Sequence, residues 1–375
     1  MELAVFGAIG VVSALRLLFG IPKFRPAGIA LLSLYSLLAL ASTTWSVITL
    51  FSLVRASQFV ALSLFVAASA SMWSSGQRSL ESDWRRIWGT YLLIVVAASA
   101  AGFIWPNWQG PGGARYSWPG IHTGTTGEYL ALGAMVALSM LFEGGWNLRR
   151  RTRRLLPIFL IGAVVLLILT ITRSALAAFL VGSTLVVARA SRIRPDRKLI
   201  LAGVFASVLV CAFAWFWEPL SEYLLRGQSV DQFTSLTGRV DLWAFALSEA
   251  QEAPFFGFGL GSARVVLTKA FFWGGVGHSL WIETILSIGL IGATLLTTLL
   301  VWMLIQTHLI QRIHPGPVSN LGFAYIAATL VWGISSSSLA LPGLGLAVVG
   351  LILAAMSSSK RERPAAPAEP GDPAS

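Results

Sequence analysis

Residues 280–306, LWIETILSIGLIGATLLTTLLVWMLIQ, form a long apolar run with a single ionisable side chain, Glu283. A helix rises 1.5 Å per residue, so about 20 such residues cross a hydrocarbon core of roughly 30 Å, and this run has length to spare. Working outward from it, comparable runs recur at 3–20, 27–45, 56–73, 87–105, 125–142, 155–171, 174–190, 199–217, 321–334 and 339–356. Several end in Trp, the residue that anchors helices at the lipid–water interface. The pattern predicts an all-α fold, a polytopic membrane helix bundle of about 11 transmembrane helices. Composition agrees: of 375 residues 55% are hydrophobic and 11% charged, with a mean hydropathy of +0.74. That leaves too little polar surface to cover a water-soluble globule of this size.

The net charge of +11 does not point to nucleic acid, because the basic residues sit in short clusters between apolar runs. One side of the expected membrane collects Lys23 and Arg25, Arg78 to Arg86, the five arginines of 149–154, the cluster 189–198, Arg312, and Lys360 to Arg363. Lys- and Arg-rich loops face the cytoplasm, so the N-terminus is expected outside and the C-terminus inside. Met1-Glu2-Leu3 lacks the positive start of a cleaved signal, so the first run is expected to be a retained helix. The expected organisation is transmembrane helices 1–8 over 1–217, a large extracytoplasmic loop over 218–277, helices 9–11 over 278–357, and a disordered cytoplasmic tail over 358–375 rich in Pro and Ala. Within the loop, Val240, Trp243, Ala244, Leu247 and Ala250 follow helical spacing and predict a helix lying on the membrane surface. The single cysteine, Cys211, lies in an apolar run and carries no disulfide within the chain.

The outer side keeps Arg55, Arg115, Arg173, Arg226, Arg239, Arg264 and Lys269, which topology does not require there. Four short elements follow in order near them: Thr-Gly-Arg-Val-Asp-Leu-Trp at 237–243, Pro-Phe-Phe-Gly-Phe-Gly-Leu-Gly at 254–261, His-Ser-Leu-Trp-Ile-Glu at 278–283 and Gly-Leu-Ile-Gly at 289–292. Their order resembles the signature of the O-antigen ligase and polymerase superfamily, bacterial membrane glycosyltransferases acting on undecaprenyl-diphosphate glycans. In that family a large outer loop carries a Gly-Arg-x-x-x-Trp element, a Pro-x-x-Gly-x-Gly turn, and a histidine at the start of the next helix. Thr172-Arg173-Ser174-Ala175-Leu176 resembles the family's Ser-Arg-x-x-Leu, and Ser42 to Trp45 with Arg55 resembles its early Ser-x-x-Trp-Ser and Arg. There are departures: Ser279 follows His278 where Asn is usual, and Gly124 to Glu128 replaces a common Asn-Pro-Asn. Family members usually have about 12 spans.

The resemblance implies a GT-C-like enzyme of the bacterial inner membrane. Its donor is a glycan on undecaprenyl diphosphate, and its acceptor a hydroxyl of lipid A core, of another repeat unit, or of a protein. The chemistry of the residues is compatible with that. An activated glycosyl diphosphate needs its leaving group stabilised, and a guanidinium grips phosphate oxygens in a bidentate manner. Arg239 and Arg173 are the expected diphosphate ligands, with Arg55 and Arg115 beside them; an outer arginine also serves simply to reach lipid headgroups, a role open to Arg115, Arg226 and Arg264. His278 is the expected general base, since an imidazole of ordinary pKa about 6.5 is largely neutral at pH 7; the other role for a histidine at a helix start is a cap. Glu283 stands five residues further along, poor spacing for direct contact with His278 but a candidate for orienting it or an acceptor hydroxyl.

No cofactor and no metal are expected. The loop acids Asp231, Asp241, Glu249 and Glu252 lack the clustered spacing of a divalent-cation site, which leaves His122 with His278 as the remaining pair of candidate ligands. Gly257, Gly259 and Gly261 do not have dinucleotide-fingerprint spacing and read as a flexible turn. Two rival functions remain. A transporter or flippase of lipid-linked substrates is expected to carry midplane charges and paired repeats with broken helices. A non-catalytic scaffold has no such signature.

Overall fold

The structure, a computed structural model, describes residues 2–19, 26–105, 107–109, 115–143, 146–190, 239–271 and 275–358. Among them twelve helices form: α1 (Glu2–Phe19), α2 (Pro26–Ala41), α3 (Thr49–Ser74), α4 (Leu80–Ile104), α5 (Thr123–Phe142), α6 (Arg150–Leu169), α7 (Arg173–Arg189), α8 (Arg239–Ala250), α9 (Ala263–Thr268), α10 (Leu280–Ile313), α11 (Pro317–Gly333) and α12 (Leu344–Ser358). The β-structure seen among these residues is one isolated bridge between Gln109 and Arg115. The apolar run 199–217 with Cys211, the loop residues Arg226 and Asp231, and the tail lie outside the described residues.

The protein is an all-helical membrane bundle. Six helices, α2 with its short extension to Thr44, α3, α4, α5, α6 and α10, are long and apolar enough to cross a bilayer. Their outer faces are apolar as well: on α6, Ile158 and Ile161 are 69% and 65% exposed, a surface that lipid rather than water accommodates. Inside, α5 packs on α6 and α7, α7 on α11, α2 on α3 and α10, and α12 on α3. Close helix contact relies on small residues. At Gly28, for instance, a Cβ would collide with the Trp302 ring of α10. Polar stitches close the end where α7 finishes and α11 starts. There the Asn320 side-chain amide donates to Glu143 Oε2 at 2.7 Å and to the Val186 carbonyl at 3.2 Å.

Three differences from the sequence expectations bear on the site. Helix α3 begins at Thr49 rather than near 56, which carries Arg55 into its second turn. Helix α10 is broken at Ile288 and Gly289, whose backbone leaves the helical region (φ +69° and ψ −171° at Gly289), although the apolar run reads straight through. Helix α8 forms where its periodicity predicts, but it turns Leu242, Ala246 and Ala250 inward against α10 and leaves Val240 and Leu247 exposed. The larger buried side chain, Leu242, decides that face.

Candidate active site

A cavity of about 860 Å³ opens at one end of the bundle, where five helices begin. Thr125 of α5, Ser174 of α7, Arg239 of α8 and Gly345 of α12 line it from the first turns of their helices, and His278 lies just before α10. Helix N-termini present unsatisfied N–H groups and positive dipole ends, so several converging on one space favour an anion there.

Arg115, Arg173 and Arg239 line the same cavity. Arg115 is fastened to the α6–α7 turn: its Nε donates to the Thr170 carbonyl at 3.1 Å, and Tyr116 N–H donates to the Leu169 carbonyl at 2.9 Å. That turn is tight enough to hold Ile171 at φ +49°, a left-handed conformation costly for a β-branched residue, and it delivers Arg173 as the first residue of α7. Arg239 Nη1 donates to the Ser335 carbonyl at 3.1 Å, tying α8 to the segment between α11 and α12. Burial lowers the pKa of the Arg239 guanidinium, and the charges of Arg173 and Arg115 add to the effect. A guanidinium stays charged at physiological pH, so the three arginines bring positive charge to one cavity.

His278 is held by its neighbours rather than by its own helix. The Trp243 indole N–H donates to the Gly277 carbonyl at 2.9 Å, while Gly277 N–H donates to Glu283 Oε2 at 2.6 Å. Glu283 is buried and is not among the cavity-lining residues. It thus acts on the backbone that precedes the histidine, which resolves the spacing objection raised by the sequence. His278 itself sits at φ +50°, strained for a residue with a Cβ. Burial first, then Arg239 and His122, lower its pKa to about 4, so the imidazole is neutral at pH 7. His122 lines the cavity too. Its Nδ1 accepts the Gly124 N–H at 3.0 Å as the cap of α5, and burial and Arg115 lower its pKa. No group of three or more His, Cys, Asp or Glu side chains is placed to hold a metal ion among the described residues.

Of the expected ligands, Arg55 is the one that does not line this cavity. Its guanidinium lies over the Phe51 ring at 5.3 Å, with that of Arg264 over the same ring at 4.3 Å, and its Nη1 donates to Gln58 Oε1 at 3.0 Å. Sequence reasoning passed over Glu128 and the run Ser335 to Ser338, all of which line the cavity. A carboxylate in an apolar helix and four consecutive serines between two apolar runs were the available signals.

The glycine-rich stretch 254–261 is not a flexible turn. It docks into the break of α10: Phe258 and Gly259 N–H groups donate to the Leu286 and Ser287 carbonyls, both at 2.8 Å, and Leu290 N–H donates to the Pro254 carbonyl at 2.8 Å. The break therefore frees backbone groups that the stretch satisfies, as a buried helix interruption requires. A Cβ at 289 would collide with the Phe255 carbonyl, and Gly259 sits at φ +99° against Ser46. The early Ser-x-x-Trp-Ser element braces the other side. Leu260 N–H donates to Ser42 Oγ at 3.1 Å, and the Trp45 indole donates to the Phe256 carbonyl at 3.3 Å. Motifs far apart in sequence thus form one rigid support beneath the segment that carries His278.

Residues 158–297 match the family model described as O-antigen ligase. This segment contains Arg173, Arg239, the glycine-rich stretch, His278 and the α10 break. No curated protein matches the chain.

Proposed function

We propose, from the place of residues 158–297 in the O-antigen ligase family, that this multi-pass membrane protein of polysaccharide assembly transfers a glycan from undecaprenyl diphosphate to an acceptor hydroxyl. The observation that carries the reading is the convergence of Arg115, Arg173, Arg239 and His278 on one cavity at the end of a bundle with a lipid-compatible exterior. The acceptor oxygen attacks the anomeric carbon from the face opposite the diphosphate. The anomeric C–O bond breaks with inversion, and its electron pair passes to the diphosphate oxygen. The three guanidiniums and the helix N-termini stabilise the charge that grows there. The acceptor proton passes to His278. Neutral in the empty site, His278 becomes more basic once a bound diphosphate offsets the neighbouring arginines. Glu283 and Trp243 hold the backbone from which the imidazole projects.

In this reading the cavity faces the outer side of the bacterial inner membrane, the N-terminus is outside, the C-terminus is cytoplasmic, and catalysis proceeds in the presence of chelator. The test is mass spectrometry of undecaprenyl-diphosphate glycans from cells lacking the protein, complemented with wild type, R239A or H278A. Single repeat units accumulating on the carrier identify a polymerase and finished chains a ligase. An identical lipid-linked pool in all strains overturns the transferase reading in favour of a transporter or scaffold.

A further inference from the structure

The cavity lining combines two chemistries. Besides the arginines, the lining carries an uncharged or acidic set: Glu128 and Tyr129 of α5, Ser338, Gly345 and Trp332. Glu128 is 6% exposed, and a carboxylate that deep is costly unless its oxygens receive hydrogen bonds. The Ser338 hydroxyl, in the same lining, is a donor available to it. Two carboxylate oxygens accept about four, so acceptor capacity remains toward the cavity. Residue 345 is glycine for the same reason that Glu128 fits: a Cβ there would stand 2.8 Å from Glu128 Oε1 and 3.6 Å from the Tyr325 hydroxyl, which donates to the Gly345 carbonyl.

A ligand that suits both chemistries is bipartite. Its anionic part belongs with Arg115, Arg173 and Arg239. The part that meets Glu128 has to donate hydrogen bonds without being cationic, because the guanidiniums repel a cation from the shared space. Alcohol hydroxyls meet both conditions, and a sugar offers them in adjacent pairs matched to a carboxylate. We infer that Glu128, set against Gly345 and Ser338, is the residue that reads the hydroxyl pattern of the donor's first sugar, a specificity-determining subsite in the same cavity as the diphosphate subsite. This inference rests on the transferase reading and adds to it a residue and a role. A buried acceptor that a substrate hydroxyl normally satisfies discriminates strongly, since an analogue lacking that hydroxyl leaves it unpaired.

The experiment measures binding of two lipids to purified full-length protein in detergent: bare undecaprenyl diphosphate, and the undecaprenyl-diphosphate glycan extracted from cells that lack the protein. Wild type is expected to bind the glycan-bearing lipid more tightly. E128Q keeps the shape and is expected to reduce that preference about tenfold while leaving affinity for the bare carrier unchanged. G345A, which crowds the carboxylate but keeps its charge, is expected to shift the preference in the same direction by less. R239A weakens both lipids together. An unchanged preference in a monodisperse E128Q protein overturns the sugar-reading role and leaves the transferase reading intact, as does an equal loss for both lipids. Failure of wild type to bind either lipid overturns both readings.

Discussion

The two ends of the bundle use the same residue type in opposite ways. Where α6 begins, Arg149, Arg150, Arg151, Arg153 and Arg154 stand exposed, each free to reach water or lipid headgroups. Where α5, α7, α8, α10 and α12 begin, Arg115, Arg173 and Arg239 are half-buried, and Arg115 and Arg239 are fixed by hydrogen bonds to backbone carbonyls around a cavity. Solvated arginines set topology at little cost. Arginines drawn together out of solvent repel one another, and such an arrangement persists only when the surrounding structure enforces it. In the proposed reading, burial and anchoring, more than the number of charges, separate a ligand site from a topological signal.

The largest break in this comparison is expected from the cavity end. H278A and R239A each reduce transfer by about a hundredfold to a thousandfold, the range found for removing a general base or an oxyanion donor. R150Q with R151Q at the other end leaves transfer within about twofold of wild type. Glycan transfer by purified protein checks both, with gel filtration showing that each variant is folded.

Next in size is the support beneath the cavity. G289A places a Cβ against the Phe255 carbonyl at a backbone conformation reserved for glycine, and it is expected to cost about 3 kcal/mol or more. Thermal unfolding in detergent shows a lower midpoint, with activity lost through unfolding rather than through altered substrate affinity. A wild-type midpoint in G289A contradicts the docking of 254–261 into α10.

The acid limb of kcat/KM sharpens the electrostatic side. With the free-enzyme pKa of His278 at about 4, transfer is expected to persist well below pH 6 and to fall through about pH 4 as the imidazole gains a proton. In R239Q the limb moves upward but stops short of about 6.5, because burial, the larger cause, remains. Stability has the same sign. Between about 6.5 and about 4 the unfolded chain binds more protons at this residue than the folded one, so stability falls as pH is lowered through that window. H278Q flattens this part of the stability profile. The smallest effect belongs to Arg55: R55A, outside the cavity on the Phe51 ring, is expected to change transfer by less than about threefold.

Much of this was legible in the sequence, and the rest was hidden for physical reasons. Apolar runs report helices because their length is set by the bilayer, and α5 to α7 lie close to the runs that announced them. Arg115, Arg173 and Arg239 stood out as outer-side cations that topology does not require, and His278 as part of a short motif, and all four line the cavity. The α10 break was silent, because Ser287-Ile288-Gly289 is as apolar as an intact helix and the partner that makes the break affordable lies about 30 residues upstream in sequence. Arg55 lies away from the cavity, in an α3 that starts a turn or more earlier than hydropathy suggests. The action of Glu283 through the Gly277 backbone has no signature in side-chain spacing.

The most direct test of the central claim is a cryo-electron microscopy structure of the full-length protein with undecaprenyl diphosphate bound. The account predicts the diphosphate between Arg115, Arg173 and Arg239, with His278 facing the position of the anomeric carbon. A diphosphate seated instead on Arg55 and Arg264, or among the exposed arginines at the start of α6, contradicts it.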